Sequence, residues 1–148
     1  MNYNEFEEYV NEYRGLNEDG VWEYGGIDDK HQMIVKGFCY IKILKNTIGK
    51  STHCRDINGV IAYTGDIVLP SPNSNVPSTY KLIKYIPEYG KFVMVSNSPD
   101  EDKYYDLTQG MFEIVGNIHQ NGQLLNKTTP QQCNKTHVNS AWNFFNTI

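Results

Sequence analysis

The chain has 148 residues, of which 39% are hydrophobic and 13% aromatic, and its formal net charge is −4. This length fits one domain with small appendages and is enough to bury a core without disulfides or metals. The negative net charge argues against a nucleic-acid binder as a whole, and no apolar run is long enough to span a bilayer.

Cysteine usage indicates the redox compartment. The cysteines Cys39, Cys54 and Cys133 are far apart and odd in number, and none lies in a Cys-x-x-Cys pair. This pattern is typical of free thiols in a reducing compartment rather than of a disulfide framework. The chain opens without a basic region followed by an apolar one, so we expect no secretion signal. A cytoplasmic protein is predicted.

Charge is distributed unevenly along the chain. Residues 1–29 carry nine acidic side chains and one basic one, whereas residues 30–55 carry six basic side chains and no acidic one. Because opposite charges attract, we expect the acidic segment to lie against the basic one, in the same chain or in a neighbouring copy. The second possibility predicts a homo-oligomer.

The N-terminal residues 1–14 show a helical pattern. Asn4 and Glu7 have the spacing of a capping box. Apolar side chains recur at the spacing of one helix face: Phe6, Tyr9, Val10 and Tyr13. We therefore predict a short amphipathic helix that ends at Arg14-Gly15. A helix this short is marginal alone, so it must dock on its own domain or on another subunit.

Residues 15–125 favour strands and tight turns. The segment 33–44 is strongly apolar with Gly37 in its middle, which predicts two short strands or one bent strand. Asn58-Gly59 and the segment 87–90 are typical of hairpin turns. Residues 112–118 form a further predicted strand with a bulge at Gly116.

The composition changes in residues 126–148, which are rich in Asn, Thr and Gln. Thr129-Pro130 has the pattern of a helix start. Three large apolar side chains near the end could anchor this tail to a surface: Trp142, Phe144 and Phe145. We predict a short, partly helical C-terminal extension.

Three patches of the chain carry a family resemblance through their order and spacing. They are Tyr13-Arg14-Gly15 with GVWEYG at 20–25, the segment 47–68 with DING and GDIV, and IVGNIH at 114–119 followed by Leu124-Leu125. Over residues 13–125 these patches resemble the YopX family of phage and prophage proteins. His53-Cys54, Ala62 and Gly122-Gln123 depart from the family pattern.

The resemblance implies an all-β domain over residues 15–125. Its later half, about residues 60–125, would be similar to a small, partly open SH3-like barrel. It also implies phage or prophage origin and a bacterial host cell. It implies no biochemical activity, because none is established for the family.

The sequence offers no catalytic, cofactor or metal-binding set. His53 and Cys54 are adjacent, and adjacent strand residues point to opposite faces, which disfavours a metal site. No motif supports Cys54 as a nucleophile, and we expect it to be a buried small hydrophobe. Asp56 and Asp66 flank turns, where carboxylates bond local backbone N–H groups. The remaining histidines are scattered. We therefore predict a protein that is not an enzyme.

Two kinds of binding remain. The leading hypothesis is a non-catalytic protein-interaction module that binds a host or phage protein. The alternative is a nucleic-acid-binding accessory protein, because the basic stretch 30–55 interleaves cations with aromatic rings. The candidate residues for that alternative are Lys36, Lys42, Lys45, Lys50 and Arg55.

Overall fold

The computed structural model describes residues 11–97 and 103–126. Within these ranges the protein is built from two antiparallel sheets, followed by one short helix and a 3-10 turn. The mostly β class predicted from the sequence is confirmed. Residues 1–10 of the predicted N-terminal helix and nearly all of the predicted extension, residues 127–148, lie outside the described residues.

The first sheet contains six strands. Their bounds are β1 Tyr13–Leu16, β2 Trp22–Asp28, β3 Met33–Lys36, β4 Cys39–Lys42, β5 Gly49–Arg55 and β6 Ile61–Tyr63. The spatial order is β4-β3-β2-β1-β5-β6, and every pairing is antiparallel. Strand β4 is therefore one edge of this sheet.

The second sheet contains five strands in the order β10-β9-β8-β7-β11. Their bounds are β7 Asp66–Pro70, β8 Lys81–Ile86, β9 Lys91–Ser96, β10 Tyr104–Asp106 and β11 Phe112–Asn117, with helix α1 at Ile118–Asn121 and the 3-10 turn at Gly122–Asn126. Among the described residues the edge strands β10 and β11 do not pair, so the sheet is open. Of the expected SH3-like barrel, only the coarser part is confirmed: this half of the protein is antiparallel and mostly β.

One hydrophobic cluster joins the two sheets. Its buried members come from β6 of the first sheet and from four strands of the second: Ala62, Val68, Ile83, Met94 and Phe112. Burying a large apolar side chain stabilises a fold by about 1.5–3 kcal/mol. This cluster therefore packs β6 onto the second sheet as part of one core.

The predicted turns are confirmed. Gly37 has a φ of +57° and opens a two-residue turn between β3 and β4, where glycine tolerates the left-handed region. Gly59 has a φ of +83° in the β5–β6 hairpin, and Gly90 has a φ of +63° between β8 and β9. The register of β11 against β7 shifts between Ile114 and Gly116, which places the predicted bulge there.

The predicted helix does not extend to Arg14. Tyr13 and Arg14 lie in β1, which pairs with β2 on one side and with β5 on the other. A central strand gains a hydrogen-bonded neighbour on both edges, whereas a short isolated helix is marginal. Pairing with two strands therefore overrides the local helical pattern at these residues.

Candidate interaction surface

A buried ion pair joins the two sheets. The Arg14 Nη2 atom in β1 donates to Asp66 Oδ1 at the start of β7, at 2.7 Å. Only 5% of Arg14 and 3% of Asp66 is exposed to solvent. The guanidinium lies 4.0 Å from the centre of the Trp22 ring and 5.0 Å from that of Tyr63. Arg14 is therefore held between two aromatic rings as well as by a carboxylate.

The second carboxylate oxygen of Asp66 is also used. Oδ2 accepts a hydrogen bond from the backbone N–H of Tyr63 at 2.8 Å, which closes the turn between β6 and β7. Burial raises the pKa of the Asp66 carboxyl, while the Arg14 guanidinium and this N–H oppose the rise. The pair is buried, so its role is to fix the two sheets rather than to meet a ligand.

Helix α1 completes the same junction. The backbone N–H of Ile118 donates to Gly65 O at 2.8 Å, and the His119 ring lies edge-on to Trp22 at 6.1 Å. Asn117 caps the helix by accepting hydrogen bonds from the next turn. Burial, and secondarily Arg14, lower the pKa of His119. The three patches that carry the family resemblance thus meet at one structural junction.

Asp56 has a structural role at the outer edge of β11. Its Oδ1 accepts the N–H groups of Asn58 and Val60, and its Oδ2 accepts the N–H of Ile114 in β11 at 3.0 Å. The next residue, Ile57, donates its N–H to Phe112 O at 2.8 Å. The turn thereby covers the outer edge of β11, and Asp56 and Asp66 act in separate turns, as predicted.

His53 and Cys54 point in different directions. The His53 Nε2 atom lies 3.1 Å from a Glu12 carboxylate oxygen at the surface. Cys54 packs against the hydrophobic cluster, and burial raises the pKa of its thiol. A raised pKa lowers the thiolate fraction, and the thiolate is the nucleophile. The described geometry therefore gives no support to a Cys–His nucleophile.

Glu12 and Glu23 of the acidic segment contact side chains of the basic segment within one chain. Glu23 in β2 contacts Lys36 in β3 at 3.2 Å. Glu12 lies within 4.0 Å of Lys50 in β5 in addition to its contact with His53. These contacts arise because β1 and β2 lie between β3 and β5. Of the two expected arrangements, contact within the same chain is therefore present.

The five basic residues predicted for nucleic-acid binding fall into two groups. Lys36 and Lys42 lie in the β3–β4 hairpin, with Lys45 just beyond it, whereas Lys50 and Arg55 lie in β5. Strands β3 and β5 are three positions apart in the sheet, or about 14 Å at normal strand spacing. Within the first group, Lys42 and Lys45 line one cleft, whereas the register of the hairpin places Lys36 on the face opposite to Lys42. The structure thus does not bring the five residues onto one surface.

Two open clefts flank the first sheet. One of about 300 Å³ lies beside β6, where the Tyr63 hydroxyl donates to Asn11 O at 2.6 Å. The other, of about 560 Å³, lies at the foot of the β3–β4 hairpin and is lined in part by Lys42, Leu44 and Lys45. The second cleft therefore places two cations and an exposed leucine at the end of the hairpin.

The β3–β4 hairpin presents large aromatic side chains to solvent. Phe38 at its tip is fully exposed, and Tyr40 in β4 is 61% exposed. Tyr40 lies on the same face as Lys42, because alternate strand residues share a face. We call residues 38–42 together with Lys45 the hairpin surface. Aromatic residues are enriched at protein interfaces relative to the rest of the surface.

The backbone of β4 is also available on its outer side. Ile43 donates its N–H to Gln32 O, so residues 39, 41 and 43 face β3. By alternation, the N–H and C=O groups of Tyr40 and Lys42 point away from β3. No described strand lies beyond β4. The edge can therefore accept a further strand.

Most of the chain matches a known protein family. The model of the YopX protein family matches residues 2–126. The chain belongs to the YopX family. The resemblance found in the sequence is thereby confirmed. No curated protein matches the chain.

Within the described ranges, this YopX-family protein has no helix long and apolar enough to cross a membrane. The same residues contain no group of three or more metal-binding side chains. Two features were missed from the sequence. Arg14 was assigned to a helix end, although its neighbours in the motif are strand residues. Phe38 was noted only as one of the aromatic rings among the lysines of the basic stretch, and its place at a hairpin tip was missed, although Gly37-Phe38 has the Gly-X pattern of a two-residue turn.

Proposed function

We propose that this YopX-family protein is a non-catalytic protein-interaction module. It would be encoded by a phage or prophage and act in the cytoplasm of the bacterial host on a host or phage protein. The hairpin surface is its binding site. The observation that carries the proposal is the open edge of β4, with Phe38 and Tyr40 exposed beside it.

The edge supports a strand-addition mode of binding. A partner strand would receive main-chain hydrogen bonds from Tyr40 and Lys42, while the aromatic rings supply apolar contact. Natural proteins usually shield such edges, and a lysine on the edge strand, here Lys42, is one such device. The Phe38 and Tyr40 rings have the opposite effect. They expose apolar surface beside the edge, where a shielded edge would carry charged side chains.

Site-specific photo-cross-linking in the host tests this proposal. A photoreactive amino acid at position 38 is expected to cross-link to a discrete protein. The matched control is position 89, because Tyr89 is 67% exposed in the β8–β9 turn, away from the hairpin. Equal cross-linking from both positions, or none from position 38, contradicts the proposal.

Loss of binding should follow from loss of the rings. Phe38→Ala combined with Tyr40→Ala is expected to abolish the specific cross-linked or co-purified product. Stability should change little, because both side chains are exposed. Recovery of nucleic acid rather than protein, lost on raising the salt concentration, would instead favour the alternative built on the lysines.

A further inference from the structure

The chain enters the first sheet beside the smaller of its two clefts, which we call the β6 cleft. Asn11, the first described residue, lines this cleft of about 300 Å³ together with Val60 and Tyr63. The Tyr63 hydroxyl donates to Asn11 O at 2.6 Å, and the Ser51 N–H donates to Glu12 O at 2.8 Å. The backbone is therefore fixed at the cleft wall, and the ten residues that precede Asn11 start from there.

The β6 cleft combines apolar surface with positive charge. Val60 is 53% exposed, and the rings of Tyr24 and Tyr63, whose centres lie 5.5 Å apart, line the cleft as well. Arg55 supplies a guanidinium, whose Nη1 atom donates to Gly59 O at 2.7 Å. A cavity of about 150 Å³ holds a benzene-sized group, so this cleft has room for about two apolar side chains. The cleft therefore fits a peptide that carries large apolar side chains and carboxylates.

Residues 1–10 have this chemistry. They contain three acidic side chains, Glu5, Glu7 and Glu8, and neither lysine nor arginine. Their large apolar side chains are those of Tyr3, Phe6, Tyr9 and Val10. Val10 is bonded to Asn11, and Glu8 lies three residues before Asn11, a length of chain that spans up to about 10 Å. Side chains of both kinds are thus within reach of the cleft.

We propose that residues 1–10 dock in the β6 cleft of their own chain, with apolar side chains on Val60 and a carboxylate against Arg55. The YopX-family model matches residues 2–126, so the matched unit includes all but the first of these residues. The proposal goes beyond the hairpin surface, because β6 and β4 are the opposite edges of the first sheet. Docking covers the first sheet beside β6 and leaves β4 open.

Charge complementarity already operates where the chain enters the sheet. The Glu12 carboxylate lies 3.1 Å from His53 Nε2 and 4.0 Å from Lys50 Nζ, and both of these residues belong to β5. Arg55 is the last residue of the same strand. A carboxylate of the preceding segment against Arg55 continues this pairing of acidic and basic side chains along β5.

Connectivity favours the same chain over another molecule as the occupant. A segment joined directly to the cleft wall is present there at an effective concentration of about millimolar. A second copy or a separate acidic protein at micromolar concentration would need contacts about a thousandfold stronger to compete. A few apolar contacts and one ion pair therefore suffice for the attached segment.

Proteolysis of the full chain tests the proposal. A glutamyl endopeptidase cuts after Glu5, Glu7 and Glu8, and cleavage follows the fraction of undocked segment when docking is fast. We expect cleavage at these sites to be at least about tenfold slower than in a synthetic peptide of residues 1–12. Cleavage at the rate of the free peptide overturns the proposal.

Two matched substitutions locate the docking site. Val60→Asp places a charge in the apolar contact and repels the carboxylates, so cleavage should approach the rate of the peptide. The control is Val21→Asp, because Val21 is 56% exposed but lies in the turn at the opposite end of β1. It should leave protection unchanged. Circular dichroism establishes that both variants are folded, and equal cleavage in the two overturns the proposal.

A milder variant tests the anchor at the cleft wall. Tyr63→Phe removes the hydroxyl that holds Asn11 O and keeps the ring beside Arg14. Cleavage should rise about two- to tenfold, the equivalent of one hydrogen bond. Unchanged cleavage in this variant would contradict docking that starts from Asn11.

Protein concentration separates the possible occupants. Protection within one chain should be constant over about a hundredfold range of concentration, because no second molecule is involved. A photoreactive amino acid at position 6 should then cross-link to residues 57–63 of the same chain. Protection that rises with concentration, or cross-linking to a different chain, overturns the inference. Because neither readout involves position 38, such a failure leaves the proposed function standing.

Discussion

The Arg14 guanidinium and the Asp66 carboxylate meet at 2.7 Å, although 52 positions separate them in the chain. The pair ties β1 of the first sheet to β7 of the second, between the rings of Trp22 and Tyr63. Buried charges are costly unless they are paired. Each partner therefore depends on the other sheet being in place, and the two sheets should unfold together.

Removal of one member of this pair should be strongly destabilising. Asp66→Ala leaves the Arg14 charge and the Tyr63 N–H buried without their acceptor, so we expect a loss of about 3–5 kcal/mol in the free energy of unfolding. Urea denaturation measures the change. The control is Asp106→Ala, which removes an exposed ion pair with Lys91 and should cost less than about 1 kcal/mol. Similar losses in both variants would contradict the structural role.

Two adjacent glycines in β2 should respond differently to alanine. A Cβ atom at Gly25 would lie 2.3 Å from the carbonyl oxygen of Val35, whereas one at Gly26 would lie 3.8 Å from its nearest neighbours. We expect Gly25→Ala to cost about 1–3 kcal/mol or more through displaced backbone. Gly26→Ala should stay within about 0.5 kcal/mol. Thermal melting of the two variants side by side distinguishes these outcomes.

Asp56 should control the protection of the β11 edge. Asp56→Ala removes the acceptor for three backbone N–H groups, and we expect a loss of about 2–4 kcal/mol. The Ile114 amide should exchange with solvent faster than in the wild type. Asp19→Ala, at an exposed position, serves as the control. Unchanged exchange at Ile114 would show that the carboxylate does not hold this edge.

His119 should make stability depend on pH. Its folded-state pKa is lowered from 6.5, chiefly by burial and then by Arg14, so protons bind the unfolded chain more tightly. The contribution of neutral His119 to the free energy of unfolding is fully present above pH 6.5. It is lost as the pH falls below 6.5. His119→Gln should flatten this dependence in urea titrations from about pH 7.5 to about pH 5. Parallel curves for the two proteins would refute the assignment.

Local turn chemistry was readable from the sequence. Gly37, the Asn58-Gly59 pair and Gly116 each mark a turn or bulge that the fold contains, because glycine there tolerates a positive φ or close contact. These signals depend on a few neighbouring residues. Their positions in the chain were enough to place the hairpins without knowledge of the packing.

Long-range contacts could not be predicted from the sequence in the same way. Arg14 carries no local sign that it will be buried against Asp66, and the apolar spacing before it favours a helix. Its strand state follows from pairing with both β2 and β5, which only the assembled sheet supplies. Likewise, the exposure of Tyr40 follows from the position of β4 at the edge of the sheet.

The turn at Asp56 blocks strand addition at one sheet edge, that of β11. Its side chain and the Ile57 N–H occupy outward-facing groups of Ile114 and Phe112 in β11, so a foreign strand meets a capped edge there. Addition of β4 from one molecule onto β11 of the next would otherwise propagate without end, as in a filament. A single carboxylate thus helps to protect this YopX-family protein from polymerising through β11, while the β4 edge of the first sheet stays open.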